Sequence, residues 1–276
     1  MILLEVRNWV SFLCVITEKR KNMQFLRKDG IALAYEDTHT ALPPLVLVHG
    51  CGFDHGSLAN QAVFFSKSHR VVSVDLRGHG ESDAPQQDYT MASFADDLAW
   101  LCTELALVKP IVVGHSMGGN VALELAARYP ELVSSIVMID SAMFPPQSMH
   151  DTLSPKFFEA LAGPHYLDVY RQLLSGLYLP TDTQSSQLIA ALDAPKHVLA
   201  SALPNHTTNY DPTRAATSCH VPIAYIFSIM PFLDLAHCQR LTPQLVSGRT
   251  LGSGHFSPVE IPDQINAMTA RFLKVQ

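Results

Sequence analysis

A mixed α/β architecture built on a mostly parallel sheet follows from three features of the sequence. Short apolar runs of four to six residues alternate with longer stretches of helical periodicity, the signature of βα units. Most of the runs stop at a polar or glycine residue: His49-Gly50, Asp75, Gly114, Asp140 and Ser228. About 80 residues then separate Asp140 from the next run at Ile223, far more than an ordinary connection between a helix and a strand.

Taken in order, residues 31–35 follow an Asp29-Gly30 turn and close a hairpin begun at Met23. Strands are expected at 45–48, 71–74, 111–113, 135–139 and 223–227. Helices are expected at 91–105 and 120–128 between them and at 261–273 near the end, where apolar residues recur three and four apart. The long gap carries helical patterns at 155–161, 166–177, 184–192 and 195–203, punctuated by Pro164, Pro180, Pro195 and Pro204. It therefore reads as an inserted helical lid over residues 142–218, with the catalytic core formed by 23–141 and 219–276 and an N-terminal extension at 1–22.

Composition bounds the function. At 276 residues, 47% hydrophobic and 16% charged, the chain can bury one large core and is unlike a disordered sequence. Its 25 acidic and 19 basic residues give a net charge of -6 without a basic run, which argues against nucleic-acid binding. Small molecules are the expected partners, and the oligomeric state is left open. Five scattered cysteines, Cys14, Cys51, Cys102, Cys219 and Cys238, form no CxxC pair, so free thiols in a reducing, cytoplasmic compartment are expected. The apolar stretch 9–16 is too short for a membrane span and follows Glu5 and Arg7, a poor start for a signal peptide.

The chemistry concentrates at Gly114-His115-Ser116-Met117-Gly118, a GxSxG between an expected strand and an expected helix. A serine on so sharp a turn projects at the sheet edge as a nucleophile, and the flanking glycines relieve crowding. His49-Gly50 ends a neighbouring strand, so the backbone amides of Cys51 and Met117 are the expected oxyanion donors. His255, in Gly252-Ser253-Gly254-His255-Phe256, is the expected base, because the chain order Ser, acid, His requires a histidine near the C-terminus. His49, His79 and His115 are expected to bond or pack locally.

These segments, with Asp75-Leu76-Arg77-Gly78-His79-Gly80-Glu81-Ser82, resemble the α/β-hydrolase superfamily in its esterase, lactonase and haloperoxidase-like branch. The resemblance spans residues 24–275. It implies the α/β-hydrolase fold, a Ser-acid-His triad, no metal and no organic cofactor. Serine rather than aspartate at 116 argues against epoxide hydrolases and haloalkane dehalogenases. The sequence departs from the family at the acid, since Ser228-Ile229-Met230-Pro231 follows the strand where relatives carry Asp. Asp140 and Asp234 are the two replacements. Asp140 is preferred because it ends a buried strand, whereas Asp234 also reads as a helix N-cap. The expected activity is hydrolysis of small carboxylic esters through an acyl-enzyme. Lactones, including acyl-homoserine lactones, carbon-carbon bond cleavage, and slow-turnover small-molecule reception on the same fold are the alternatives.

Overall fold

The computed structural model describes residues 23–229 and 232–275. The expected extension at 1–22 lies outside the described residues. Eight strands form one sheet: β1 (Gln24–Lys28), β2 (Ile31–Asp37), β3 (Pro44–Val48), β4 (Arg70–Val74), β5 (Ile111–His115), β6 (Ser135–Ile139), β7 (Ile223–Phe227) and β8 (Leu245–Arg249). Their order across the sheet is β1-β2-β4-β3-β5-β6-β7-β8. The β1-β2 and β2-β4 pairs are antiparallel, and every later pair is parallel.

The helices are α1 (Ala59–Phe65), α2 (Met91–Glu104), α3 (Met117–Arg128), α4 (Gln147–Thr152), α5 (Pro155–Leu161), α6 (Tyr166–Ser175), α7 (Thr183–Ala190), α8 (Lys196–His206), α9 (Thr213–Ser218), α10 (Leu235–Leu241), α11 (Ser257–Glu260) and α12 (Pro262–Leu273). Side chains of a strand alternate between faces, and both faces are apolar here. Leu45 and Leu47 of β3 join Phe65, Ile265 and Phe272 on the side of α1 and α12. Val46 and Val48 join Phe94, Leu98, Val121 and Leu125 of α2 and α3 on the other. A sheet covered on both faces requires this continuous apolar run rather than alternation with polar residues.

Six helices, α4 to α9, lie between β6 and β7. Their buried side chains, among them Leu161, Tyr170, Leu174, Val198 and Leu199, belong to the same apolar cluster as Val48 and Met117. Pro155 enters α5 at its first turn, where the missing N–H is harmless. Pro204 departs from its expected role as a stop, since α8 runs through it to His206. The last turn is held by side chains instead. His206 Nδ1 donates to the Ala202 carbonyl at 2.9 Å, and Thr207 Oγ1 donates to the Leu203 carbonyl at 2.6 Å.

Behind the β3 loop, Asp75 at the end of β4 organises three segments. It accepts from the His55 amide at 2.8 Å, His55 Nδ1 at 2.7 Å and the Glu81 amide at 2.9 Å. Gly80 has φ +54°, and any Cβ there would collide with the Asp75 carboxylate. Burial pushes the Asp75 carboxyl upward, but its bond to His55 and the His55 charge outweigh burial and hold it below the usual range. Burial pushes His55 down, and the bond and charge of Asp75, with Asp54 and Glu36, more than reverse it.

The sign of the pH dependence follows. The raised His55 contributes fully below about pH 6.5, the unfolded value, and its contribution is lost as pH rises through the folded value. The lowered Asp75 contributes above its unfolded value and fails only in acid. His55→Leu strands a buried carboxylate and is expected to cost about 3 kcal/mol. Thermal unfolding should show the largest gap between wild type and variant near pH 6 and a smaller gap at pH 9. An equal gap at both pH values would contradict this account.

Candidate active site

Ser116 lies between the end of β5 and the first residue of α3, with φ 53° and ψ -120°. An L-residue with positive φ is strained and persists only where its surroundings over-determine it. Those surroundings are glycine. A Cβ on Gly114 would fall within the van der Waals shell of the Gly118 carbonyl, one on Gly118 would strike the Val48 carbonyl, and one on Gly119 would overlap Ser141 Oγ. The Ser116 amide is anchored on the Ile139 carbonyl of β6 at 2.8 Å.

His255 Nε2 lies 3.0 Å from Ser116 Oγ, and His255 Nδ1 lies 2.9 Å from Asp140 Oδ2. A carboxylate attracts the Nδ1 proton, so Nε2 is left to accept from the serine hydroxyl. His255 is held at both ends of its backbone: its amide donates to the Leu177 carbonyl at 2.6 Å, and its carbonyl accepts from His115 Nε2 at 2.8 Å. His115 was expected to bond locally, yet its partner is 140 residues away. Burial first, then the neighbouring His255, pushes the His115 imidazole down to about 3, which keeps it neutral with its one proton on Nε2. His49 and His79 do bond neighbouring backbone, at the Gly50 and Arg77 carbonyls.

The end of β7 bonds the Asp140 carboxylate. Ser228, where the sequence lacks the usual aspartate, donates its amide to Asp140 Oδ1 at 2.8 Å and its hydroxyl to Asp140 Oδ2 at 2.9 Å. Asp140 is fully buried and sits at φ 50°. Asp234 is elsewhere employed: its Oδ1 accepts from the His237 amide at 2.9 Å as the N-cap of α10.

The β3 loop lies against the elbow, since a Cβ on Gly50 would be 3.3 Å from Ser116 Cβ. His49 Nε2 accepts from the Leu76 amide at 3.0 Å, so His49 Nδ1 is the donor to the Gly50 carbonyl at 2.7 Å. The Phe53 amide also donates to that carbonyl, at 3.3 Å. Because a trans peptide aims its N–H opposite its C=O, fixing the Gly50 carbonyl fixes the direction of the Cys51 N–H. Among the described residues, neither the Cys51 nor the Met117 amide donates to a protein acceptor. The Cys51 thiol is buried and pushed up to about 12 by desolvation, so it carries no thiolate reactivity.

Ser116, Asp140 and His255 open onto a cavity of about 400 Å³. Phe53 and Phe232 line it from the loops after β3 and β7, and Met149, Leu153, Tyr170, Leu173, Leu174, Leu177 and Leu203 line it from the segment between β6 and β7. Tyr170 donates its hydroxyl to the Cys51 carbonyl at 3.0 Å, which joins α6 to the β3 loop. Among the described residues no group of three or more His, Cys, Asp or Glu side chains is placed to hold a metal ion, and no helix is long and apolar enough to cross a membrane.

A family profile described as the alpha/beta hydrolase fold matches residues 43–210. The chain belongs to that family. A 94-residue segment is 44% identical to 2-(acetamidomethylene)succinate hydrolase of Mesorhizobium japonicum, covering 32% of this chain and 34% of that enzyme. The chain thus spans about a third of the length of that curated relative, and 40% of others that it matches. Among solved structures, a thermophilic esterase from Thermogutta terrifontis is 26% identical with a TM-score of 0.77, covering 91% of this chain and 97% of the esterase. Est816, described as an N-acyl homoserine lactone degrading enzyme, is 23% identical with a TM-score of 0.78, covering 90% and 100%. At that identity the second structure speaks for the fold alone.

The elbow geometry yields a stability prediction. Gly114→Ala forces a methyl against fixed backbone and is expected to cost about 3 kcal/mol. Gly176→Ala, whose new Cβ would meet only the Leu173 carbonyl at 3.5 Å, is expected to be neutral or stabilising by about 0.5 kcal/mol. Urea unfolding of both proteins measures the contrast, and similar midpoints for the two would refute it.

Proposed function

We propose that the protein hydrolyses carboxylic esters of small, uncharged molecules through an acyl-enzyme on Ser116. The observation that carries this reading is the unbroken hydrogen-bond chain from Ser116 Oγ through His255 to Asp140, placed at the floor of an apolar cavity. Ser116 attacks the ester carbonyl as His255 Nε2 takes its proton, and Asp140 holds the tautomer and stabilises the imidazolium. The tetrahedral oxyanion is received by the Cys51 and Met117 amides, each donor being worth about 3 kcal/mol in comparable sites. His255 returns the proton to the leaving alkoxide, then activates water to release the acid.

The lining favours a neutral substrate. No Lys or Arg is among the described residues that line the cavity, so a dicarboxylate such as a succinate would be buried without a counter-charge, at high cost. The esterase from Thermogutta supports the ester over other bond types. The completed acid position favours an enzyme over a slow-turnover receptor. Residues 142–218 act in this reading as the lid that sets acyl-chain preference, because most of the apolar lining comes from them.

Ser116→Ala is expected to abolish hydrolysis of short p-nitrophenyl esters in a protein with unchanged circular dichroism; retained turnover would sink the assignment. Asp140→Asn should lose about 10⁴ in kcat, as in the reference triad, whereas Asp234→Asn should lose about 1 kcal/mol of stability and little activity. The reverse pattern would transfer the acid's role to Asp234.

A second expectation concerns the lid. Met149→Trp places a larger ring in the cavity wall and should lower the ratio of octanoate to acetate ester turnover about tenfold. An unaltered ratio would remove the insertion from the determinants of chain length.

A further inference from the structure

The cavity has one polar wall, at the end of α8 and along α4. It includes Ser148, Thr152, His206 and Thr207, and three of these four, Thr152, His206 and Thr207, have their donors committed to backbone. Thr152 Oγ1 donates to the Ser148 carbonyl at 2.9 Å, Thr207 Oγ1 to the Leu203 carbonyl at 2.6 Å, and His206 Nδ1 to the Ala202 carbonyl at 2.9 Å. A carbonyl oxygen cannot donate, so the proton of a neutral His206 resides on Nδ1 and Nε2 carries only a lone pair. Among the described residues nothing hydrogen-bonds that Nε2. The residue is 4% exposed, and burial pushes its imidazole down to about 4, which keeps it neutral at physiological pH. Its backbone is pinned as well: Asn120 Nδ2 donates to the His206 carbonyl at 3.2 Å and to the Ala142 carbonyl at 3.2 Å.

An acceptor on a cavity lining that no protein donor satisfies is open to a donor carried by whatever the cavity admits. We propose that His206 is a specificity-determining residue whose Nε2 accepts a hydrogen bond from a hydroxyl or amide N–H on the substrate. The substrate class is therefore a neutral ester that carries a hydrogen-bond donor as well as an apolar chain. This inference rests on the placement of the ester at Ser116, but it concerns a different wall of the cavity and a different chemical group. A carboxylate or ketone oxygen set against His206 Nε2 would meet only its lone pair and be disfavoured there, whereas a hydroxyl or N–H would donate to it. Sites built to bond a polar substrate group discriminate strongly against the analogue that lacks it.

The test uses methyl hexanoate and its derivatives with a single hydroxyl at carbon 3, 4, 5 or 6, together with methyl 6-acetamidohexanoate. Turnover by wild type is followed by acid release, and binding to the Ser116→Ala protein by calorimetry. At least one donor-bearing ester is expected to exceed methyl hexanoate about tenfold, in kcat/KM and in affinity. His206→Phe should bring that ratio towards one, and His206→Gln, which keeps an acceptor, should restore part of it. Equal affinity of Ser116→Ala for methyl hexanoate and every donor-bearing ester overturns the proposal, as does a preference unchanged by His206→Phe. Selective binding without turnover in wild type would retain the His206 site and instead overturn ester hydrolysis, so the two failures are distinguishable.

Discussion

The backbone of Ser116 is the constraint on which the site depends. A residue at φ 53° and ψ -120° is a local strain of about 1–3 kcal/mol, and the packing of β5 against α3 holds it in place. The close approach that throws the side chain out of the sheet also brings Gly118 against the Val48 carbonyl. It thereby sets the elbow beside the end of β3, which carries the Cys51 amide. Three bare glycines thus decide how near three strands and one helix can come. The side chains that meet above them are positioned by that approach.

The imidazole and carboxylate are placed by contacts of a different kind. Asp140 leaves β6 in a left-handed conformation and is received by two donors of Ser228 at the neighbouring strand end. A serine there is small enough to admit the carboxylate and polar enough to bond it. The serine at the end of β7 and the aspartate at the end of β6 are thus joined by two hydrogen bonds across neighbouring strands. His255 in turn is positioned through its own peptide groups, one bonded to Leu177 and the other to His115.

Much of this was legible in the order of residues. The strands 135–139 and 223–227 have the expected bounds, and the elbow carries its glycines where steric demand puts them. What escaped depended on distant partners. Leu245–Arg249 alternates too weakly to announce itself as an edge strand, because several of its side chains face solvent. Ala59–Phe65 and Thr213–Ser218 are under three turns long and have little periodicity to detect. Pro204 looked like a stop because the side chains that hold its turn follow it or bond backwards. Asp140 is preferred to Asp234 on its strand position, but the two bonds that it accepts from Ser228 join different strands and leave no mark in the sequence. His115 read as a local packing residue because the carbonyl that it bonds lies on another loop.

The bond between the His255 amide and the Leu177 carbonyl also bears on how such a protein can diversify. Gly254, just before His255, would strike Leu177 and Tyr178 if it carried a side chain, so the segment between β6 and β7 and the histidine loop are fitted to one another at backbone level. Exchanging the segment between β6 and β7 for that of a relative would put at risk one of the two backbone bonds that hold His255. Modular swapping is therefore constrained at this seam, while individual side chains on the cavity wall remain free to vary.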